Sequence, residues 1–344
     1  MRIATYNVEW FTNLFDRQGR LLEDGEWSAR YNVTRADQLT ALGIVFTAMD
    51  ADAVMVVEAP DESRRHRTVD QLETFAARYA LRTRKALIGF DNETQQEIAM
   101  LYDPDKLDLE HDPKGDSMQP GPGEPSPRFD GLYKMDLDID GTMDNGEFSK
   151  PPLEIAARAI ASGKIFRMIG VHLKSKAPHG ATNKQQERRI AIENRRKHLA
   201  QSIWLRQRVL EHLTAGDSLI VTGDFNDGPG LDEFEKLFGR SGVEIVMGWD
   251  EPHPTRLFDQ NARLAFAKKV PAMPFTARFY LDEHGRYFNA LLDYVMVSPD
   301  LRKLGPKWRI WHPFDDPACY STPELREALL TASDHFPVSI DIAL

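Results

Sequence analysis

The stretch Ser218-Leu219-Ile220-Val221-Thr222-Gly223-Asp224-Phe225-Asn226-Asp227 constrains the chain more than any other. Leu219-Ile220-Val221 is short, apolar and β-branched, the composition of a buried strand. Gly223 closes it, and Asp224 and Asn226 follow two apart, so both side chains leave an extended backbone on the same side. A carboxylate and a carboxamide placed together at a strand end can position a water, one taking its proton and the other fixing its orientation. Asp, Asn and Gly are also the common turn residues, so the stretch alone reads equally well as a strand and an Asx-rich turn. Other strand ends decide between the two.

Similar ends recur along the chain. Arg2–Val8 reads as a strand presenting Asn7 and Glu9 on one face. Thr34 caps an expected helix carrying Leu39, Leu42, Ile44, Val45 and Met49. Ala53–Val57 is a second buried strand, with Glu58 at its exit because Pro60 cannot continue a central strand. A helix is expected over Val69–Tyr79 and a strand over Glu97–Tyr102. Ile165–Val171 delivers His172, followed by Leu173-Lys174-Ser175-Lys176. A long helix from about Lys184 to Leu213 then carries Arg188, Arg189, Arg195, Arg196 and Lys197, either a solvated face or a basic rim. Leu291–Val297 carries Asp293 inward, and Ser333-Asp334-His335-Phe336-Pro337 precedes a last strand, Val338–Ile342.

Two regions look irregular. Residues 111–128 hold Pro113, Pro120, Pro122, Pro125 and Pro127, and residues 251–290 are aromatic with a turn expected at Glu283-His284-Gly285. Between Asp136 and Glu147 the acids have the spacing of a calcium-binding EF-hand loop. Met135, Leu137 and Ile139 alternate with them as in a strand, however, and Pro151-Pro152 blocks an exit helix. A hairpin turning around Asp144-Asn145-Gly146 is expected there instead of bound Ca²⁺.

The chain of 344 residues has no apolar run long enough for a membrane helix. No secretory signal precedes the first strand, and the single Cys319 excludes an internal disulfide, so a cytoplasmic protein is expected. The formal net charge of −10 speaks against a broad footprint on duplex nucleic acid and leaves room for a local basic groove. Asn7, Glu58, His172, Asp224, Asn226, Asp293, Asp334 and His335 all fall at or beside strands. They offer carboxylates and amides for a hard, oxygen-loving cation, and two imidazoles. The Cys/His spacing of a zinc site does not occur.

In this constellation the sequence resembles the endonuclease/exonuclease/phosphatase superfamily. The matching segments are Thr5-Tyr6-Asn7-Val8, Val57-Glu58, Val171-His172-Leu173-Lys174-Ser175, Gly223-Asp224-Phe225-Asn226, Leu292-Asp293-Tyr294-Val295 and Ser333-Asp334-His335-Phe336-Pro337. They run in the family's order across nearly the whole chain. The resemblance implies one α/β domain over 1–344, a four-layer α/β/β/α sandwich of two mixed β-sheets of the DNase I-like kind, with irregular insertions near 111–150 and 251–290. It makes Glu58 the principal Mg²⁺ ligand, with Asn7 and Asp334 completing the site and Mn²⁺ able to substitute. Asp224 resembles the base for the attacking water, and Asn226 its orienting partner. His335 resembles the imidazole on the scissile phosphate, held by Asp293. His172 takes the place facing the leaving group, with Glu97 as its carboxylate partner, and Lys174 and Lys150 contact phosphate.

Two departures stand out. Val57-Glu58-Ala59-Pro60 replaces the usual Gln-Glu-Val, and Lys150 stands before Pro151-Pro152 where the family often has Arg, a point charge in place of a bidentate fork. The chemistry expected is Mg²⁺-dependent phosphoester hydrolysis, on a phosphodiester sooner than a monoester. A DNA or RNA nuclease proper is the alternative, to be recognised by Lys174, Lys176 and the Arg188–Lys197 cluster facing the site. A non-catalytic scaffold is the third reading, disfavoured by the intact set of acids and histidines.

Overall fold

The computed structural model describes residues 1–344 apart from 65, 117–119, 121–123, 138–141, 179, 229–239, 268–272 and 282–284. Its frame is two sheets. The first contains β1 (Arg2–Asn7), β2 (Ala53–Ala59), β3 (Lys85–Ile88) and β4 (Glu97–Tyr102), completed by β14 (Lys307–Ile310) and β15 (Val338–Asp341), in the order β14-β15-β1-β2-β4-β3. The second contains β5 (Leu107–His111), β8 (Leu153–Ala159), β9 (Ile165–His172), β10 (Leu219–Asp224) and β13 (Asp293–Val297), in the order β13-β10-β9-β8-β5. Both are mixed. β1 runs parallel to β2 and β9 parallel to β10, while the remaining pairs are antiparallel.

Strands buried on both faces explain the unbroken apolar runs. Ile3, Met55, Ile98 and Met100 of the first sheet pack against Ile155, Met168, Ile220 and Val295 of the second. Their alternate residues, Ala4, Val54, Val56, Ala99 and Leu101, face outward onto helix α1 (Arg35–Met49), α2 (Thr68–Arg78) and the helix Pro323–Ala332. On the far side, Ile169, Val171, Val221 and Met296 face Trp204, Leu205 and Val209 of α3 (Lys184–Ala215). The result is the α/β/β/α sandwich. Thr34 caps α1 as expected, its side chain accepting from Asp37 N at 3.2 Å. No helix among the described residues is long and apolar enough to cross a membrane.

Three expectations change. The described residues of 251–290 are not all irregular: they hold a 3₁₀ turn (His253–Thr255), a short helix (Gln260–Phe266) and β11 (Ala277–Leu281) paired antiparallel with β12 (Arg286–Ala290), while most of the turn expected at Glu283-His284-Gly285 lies outside the described residues. The hairpin expected near Asp144 exists, but Asp144–Gly146 is its second strand β7, paired with β6 (Tyr133–Met135) in the register Tyr133↔Gly146. Asp-Asn-Gly is a turn signal by composition, yet here all three residues lie in the strand. The Ca²⁺ question at 136–147 falls largely on residues 138–141, outside the described residues. The first strand also ends at Asn7, and Glu9 leaves it with φ +50°, so the two side chains do not share an extended face.

Candidate active site

One edge of the sandwich collects the polar strand ends. Asn7 closes β1, Glu58 sits at a bulge near the end of β2, and His172 and Asp224 close β9 and β10 opposite one another. Asp293 opens β13 in register with Asp224, and Asp334 and His335 lead into β15. All except Asp293, which is buried behind His335, line one cavity of about 1410 Å³ together with Lys150, Lys174 and Asn226.

Gly223 makes the approach of β10 to β9 possible. Its φ is +139°, and a Cβ there would lie 2.0 Å from Val171 O. Beyond it, Asp224 Oδ1 accepts from Asn226 N at 2.8 Å, and Oδ2 accepts from Asn7 Nδ2 at 3.1 Å and Asn226 Nδ2 at 3.3 Å. Asp224 Oδ2 lies between two imidazoles, 3.7 Å from His172 Nε2 and 3.9 Å from His335 Nε2. Burial pushes the Asp224 carboxyl up to about 7, with Asp293 adding to the effect and His335 and the amide donors opposing it.

The two histidines are driven apart. His335 Nδ1 stands 2.8 Å from Asp293 Oδ2, which also accepts from Thr276 Oγ1 at 2.7 Å. Burial alone would lower the His335 imidazole, but the carboxylates of Asp293 and Asp224 outweigh it and lift the ring to about 10. His335 is therefore cationic at neutral pH, donating from Nδ1 to Asp293 and holding Nε2–H for the cavity. His172 is held well below its usual range by burial, with Lys150, His335 and Lys174 repelling a second charge. Lys150 Nζ lies 3.2 and 3.3 Å from its two ring nitrogens. Burial lowers the Lys150 ammonium to about 8, against the attraction of Glu58 and Asp224.

Glu58 occupies strained backbone at φ +59°, and Glu9, Trp10 and Asn226, which line the same cavity, are also at positive φ. Such conformations cost roughly 1–3 kcal/mol each and persist where the surroundings enforce them. Glu58 Oε2 accepts from Trp10 N at 2.9 Å, and burial, assisted by Asp334, raises its carboxyl above the usual range. Asp334 Oδ1 is buried without a hydrogen-bond partner among the described residues. Glu58, Asn7 and Asp334 thus form an all-oxygen donor set with an unsatisfied anionic atom, the chemistry a hard divalent cation relieves. Asp224, Asp293 and His335 also bring ligand-type atoms within 4.8 Å of one another. Within the trio His335 Nδ1 is hydrogen-bonded to Asp293 while His335 Nε2 stays 3.9 Å from Asp224 Oδ2, so these atoms are a second group that could hold a cation.

Glu97 does not join His172. Along β4, Ile98 and Met100 face the space between the sheets, so Glu97 faces outward with Ala99. It accepts from Asn92 Nδ2 at 2.6 Å and from the Asn92 and Glu62 amides, and burial lifts its carboxyl to about 7. Its neighbour Gln96 lines the cavity instead. From the basic cluster, Arg188 and Arg195 line the cavity with Lys174 and Lys176, while Arg196 turns away to Asp144 at 2.9 Å. Sequence reasoning missed Thr276, which fixes Asp293, and the aromatic lining Trp10, Phe279, Tyr280 and Phe288. It also missed Asp227, whose buried carboxylate pairs with Lys176 and accepts from Gly242 N at 2.6 Å.

Known structures share this frame. The catalytic domain of human Nocturnin with a bound sulfate anion superposes with a TM-score of 0.50 at 14% identity, covering 100% of this chain and 94% of that one. A variant of the 3′ phosphatase NExo from Neisseria, bound to product DNA hairpin, gives 0.50 at 14% identity and covers 100% of both chains. No curated protein matches in sequence. The sequence pattern of the Endonuclease/Exonuclease/phosphatase family matches residues 4–335, from the first strand to the histidine before the last. The chain belongs to that family, whose members are hydrolytic enzymes acting on phosphoester bonds.

Proposed function

We propose that the protein is a Mg²⁺-dependent phosphodiesterase in which Asp224 activates water and His335 receives the phosphoryl charge. The observation that carries this reading is the opposed environment of the two groups. Asp224 is a carboxylate raised towards neutrality, as suits a base, beside an imidazole that two carboxylates keep cationic. Asn7 and Asn226 hold Asp224 Oδ2, so the basic lone pair has a fixed direction. His335 Nε2–H then binds a non-bridging oxygen in the developing pentavalent geometry. Neutral His172, with the Lys150 ammonium against its ring, stands where the leaving oxygen gains charge. Lys174 adds a cation to the same wall.

Glu58, Asn7 and Asp334 would hold the metal, with Mn²⁺ able to replace Mg²⁺. The ion's chemistry when bound is Lewis-acid neutralisation of phosphoryl oxygens. A cavity of about 1410 Å³ exceeds the roughly 300–1,000 Å³ of ordinary small-ligand sites and supports a substrate extending on both sides of a diester. We read residues 1–344 as one domain around this site, and the single buried Cys319 suits a reducing cytoplasm.

The test is hydrolysis of a chromogenic phosphodiester by wild type and Glu58→Ala across Mg²⁺ concentrations, with thermal unfolding measured in parallel. Glu58→Ala should lose activity at low Mg²⁺, recover part of it at high Mg²⁺ or Mn²⁺, and lose the rise in melting temperature that Mg²⁺ gives the wild type. An unchanged metal dependence in both measurements overturns the assignment.

A further inference from the structure

The cavity has two unlike walls above the reactive groups. One is basic. On α3, Arg188, Ala191, Ile192 and Arg195 line it, the positions i, i+3, i+4 and i+7 of one helical face. The two guanidinium-bearing positions are about 10 Å apart along the axis at 1.5 Å rise per residue. Lys174 and Lys176 continue this wall towards the floor. The other wall is aromatic and comes from the β11–β12 hairpin. Phe279 meets the His335 ring edge-on at 5.6 Å, and Phe288 pairs opposite Phe279 in the ladder, on the same face. Phe288 is 37% exposed and offers apolar surface to the cavity, whereas Tyr280, next to Phe279 along the strand, belongs to the other face of the hairpin with Tyr287 at 5.2 Å.

Resting on the phosphodiesterase reading above, we infer that the substrate is a single-stranded nucleic acid of several nucleotides. Its phosphates follow Lys174, Arg195 and Arg188, and a base next to the scissile phosphate stacks on Phe288. Each wall excludes a different competitor. A lipid or other small diester carries too few phosphates to occupy cations spread along two turns of helix. An inositol polyphosphate has the phosphates and no π-face for the hairpin. A paired duplex hides its base faces, and the net charge of −10 disfavours the extended cationic footprint a duplex needs. Aromatic platforms with a basic track are how unpaired strands are held.

The experiment compares steady-state hydrolysis with binding. Single-stranded DNA and RNA oligonucleotides of two to eight nucleotides, a matched duplex, an inositol polyphosphate and the chromogenic diester are each tested with Mg²⁺. Fluorescence anisotropy of a labelled octanucleotide is recorded separately without added metal. KM should fall at least tenfold between two and eight nucleotides, and the single strand should be preferred over the duplex. Phe288→Ala should weaken octanucleotide binding roughly tenfold, the scale of a lost stacking platform. Arg188→Gln should weaken it less, and should flatten its dependence on the logarithm of salt concentration by about 0.7, one phosphate contact. A dinucleotide as good as the octamer, a preference for duplex or inositol polyphosphate, or variants that bind the octamer as wild type does would each overturn the inference. The two variants sit on separate elements, so a folding defect in one leaves the other informative. If octamer binding responds to both variants while no diester is hydrolysed, the phosphodiesterase reading fails and the binding surface stands.

Discussion

Gly223 shows how little freedom single residues have at this edge. Its φ of +139° is closed to L side chains, and the nearest obstacle to a Cβ is backbone, Val171 O at 2.0 Å, which cannot retreat without breaking the β9–β10 ladder. Gly223→Ala should therefore cost roughly 2–4 kcal/mol, strain and overpacking together. Chemical denaturation measures it, and a midpoint equal to wild type would show that the strand relaxes. The acids and histidines of the site were legible because each interrupts an apolar run at a strand end, where charge is otherwise unexpected. Thr276 was not, since a threonine 17 residues before its partner in sequence carries no pattern of its own. Glu97 was misread for another reason. Glu-Ile-Ala-Met-Leu-Tyr is buried on both faces, so its apolar run has no visible alternation to say which side Glu97 takes.

At the scale of elements, α3 does more than cover the second sheet. Three of its residues strap the loop that follows β9: Asn194 Nδ2 donates to Ala177 O at 2.8 Å, His198 Nδ1 lies 2.8 Å from Lys174 O, and Gln201 Oε1 accepts from Lys174 N at 2.8 Å. Gln201 Nε2 also donates to Glu147 O at 2.9 Å, tying in the segment before Lys150. The helix that contributes Arg188 and Arg195 thereby sets the height of Lys174 and, through Glu147, the approach of Lys150. Gln201→Ala leaves a backbone donor and a carbonyl without their partner and should cost about 2–3 kcal/mol. It should also raise KM for a phosphodiester several-fold more than it lowers kcat, because it displaces Lys174 and Lys150, the cations proposed to contact phosphate, and not Asp224, the proposed base. A pure stability loss with unchanged KM would confine Gln201 to a structural role. The helix itself was evident in sequence from its length and charge. The β11–β12 hairpin was not, because Arg286–Asn289 are exposed and leave no burial pattern to read.

At the scale of the whole molecule, the site is where the two sheets are tied together. Asn7, Glu58 and the Asp334-His335 pair belong to the first sheet and its approach; His172, Asp224 and Asp293 belong to the second. Asn7 to Asp224 and His335 to Asp293 are hydrogen bonds between layers, so the chemistry and the stability of the sandwich share the same groups. This gives a linked pH dependence. The His335 imidazole titrates near 10 in the folded protein against about 6.5 when unfolded. A base with a raised folded value stabilises fully below the unfolded value, and that stabilisation is lost as pH rises from about 6.5 through 10. On the proposed mechanism, which uses the cationic ring, activity should fall over the upper part of the same range. Asp293→Asn keeps the shape and removes the charge that contributes most to raising the ring. The folded value should drop, so the alkaline limb of kcat/KM should shift to lower pH, and the variant's stability deficit relative to wild type should be largest near neutrality and shrink towards about pH 10. His335→Ala should lower activity at every pH, by about 10²–10⁴-fold as for loss of a general acid–base group. Because paired residues lose function non-additively, the double variant should be little worse than His335→Ala alone. Rate and unfolding measured from about pH 6 to 10.5 on all four proteins decide the matter. If Asp293→Asn moves neither profile, the carboxylate does not set the charge of the ring, and Asp293 serves only to anchor Thr276 at the start of β13.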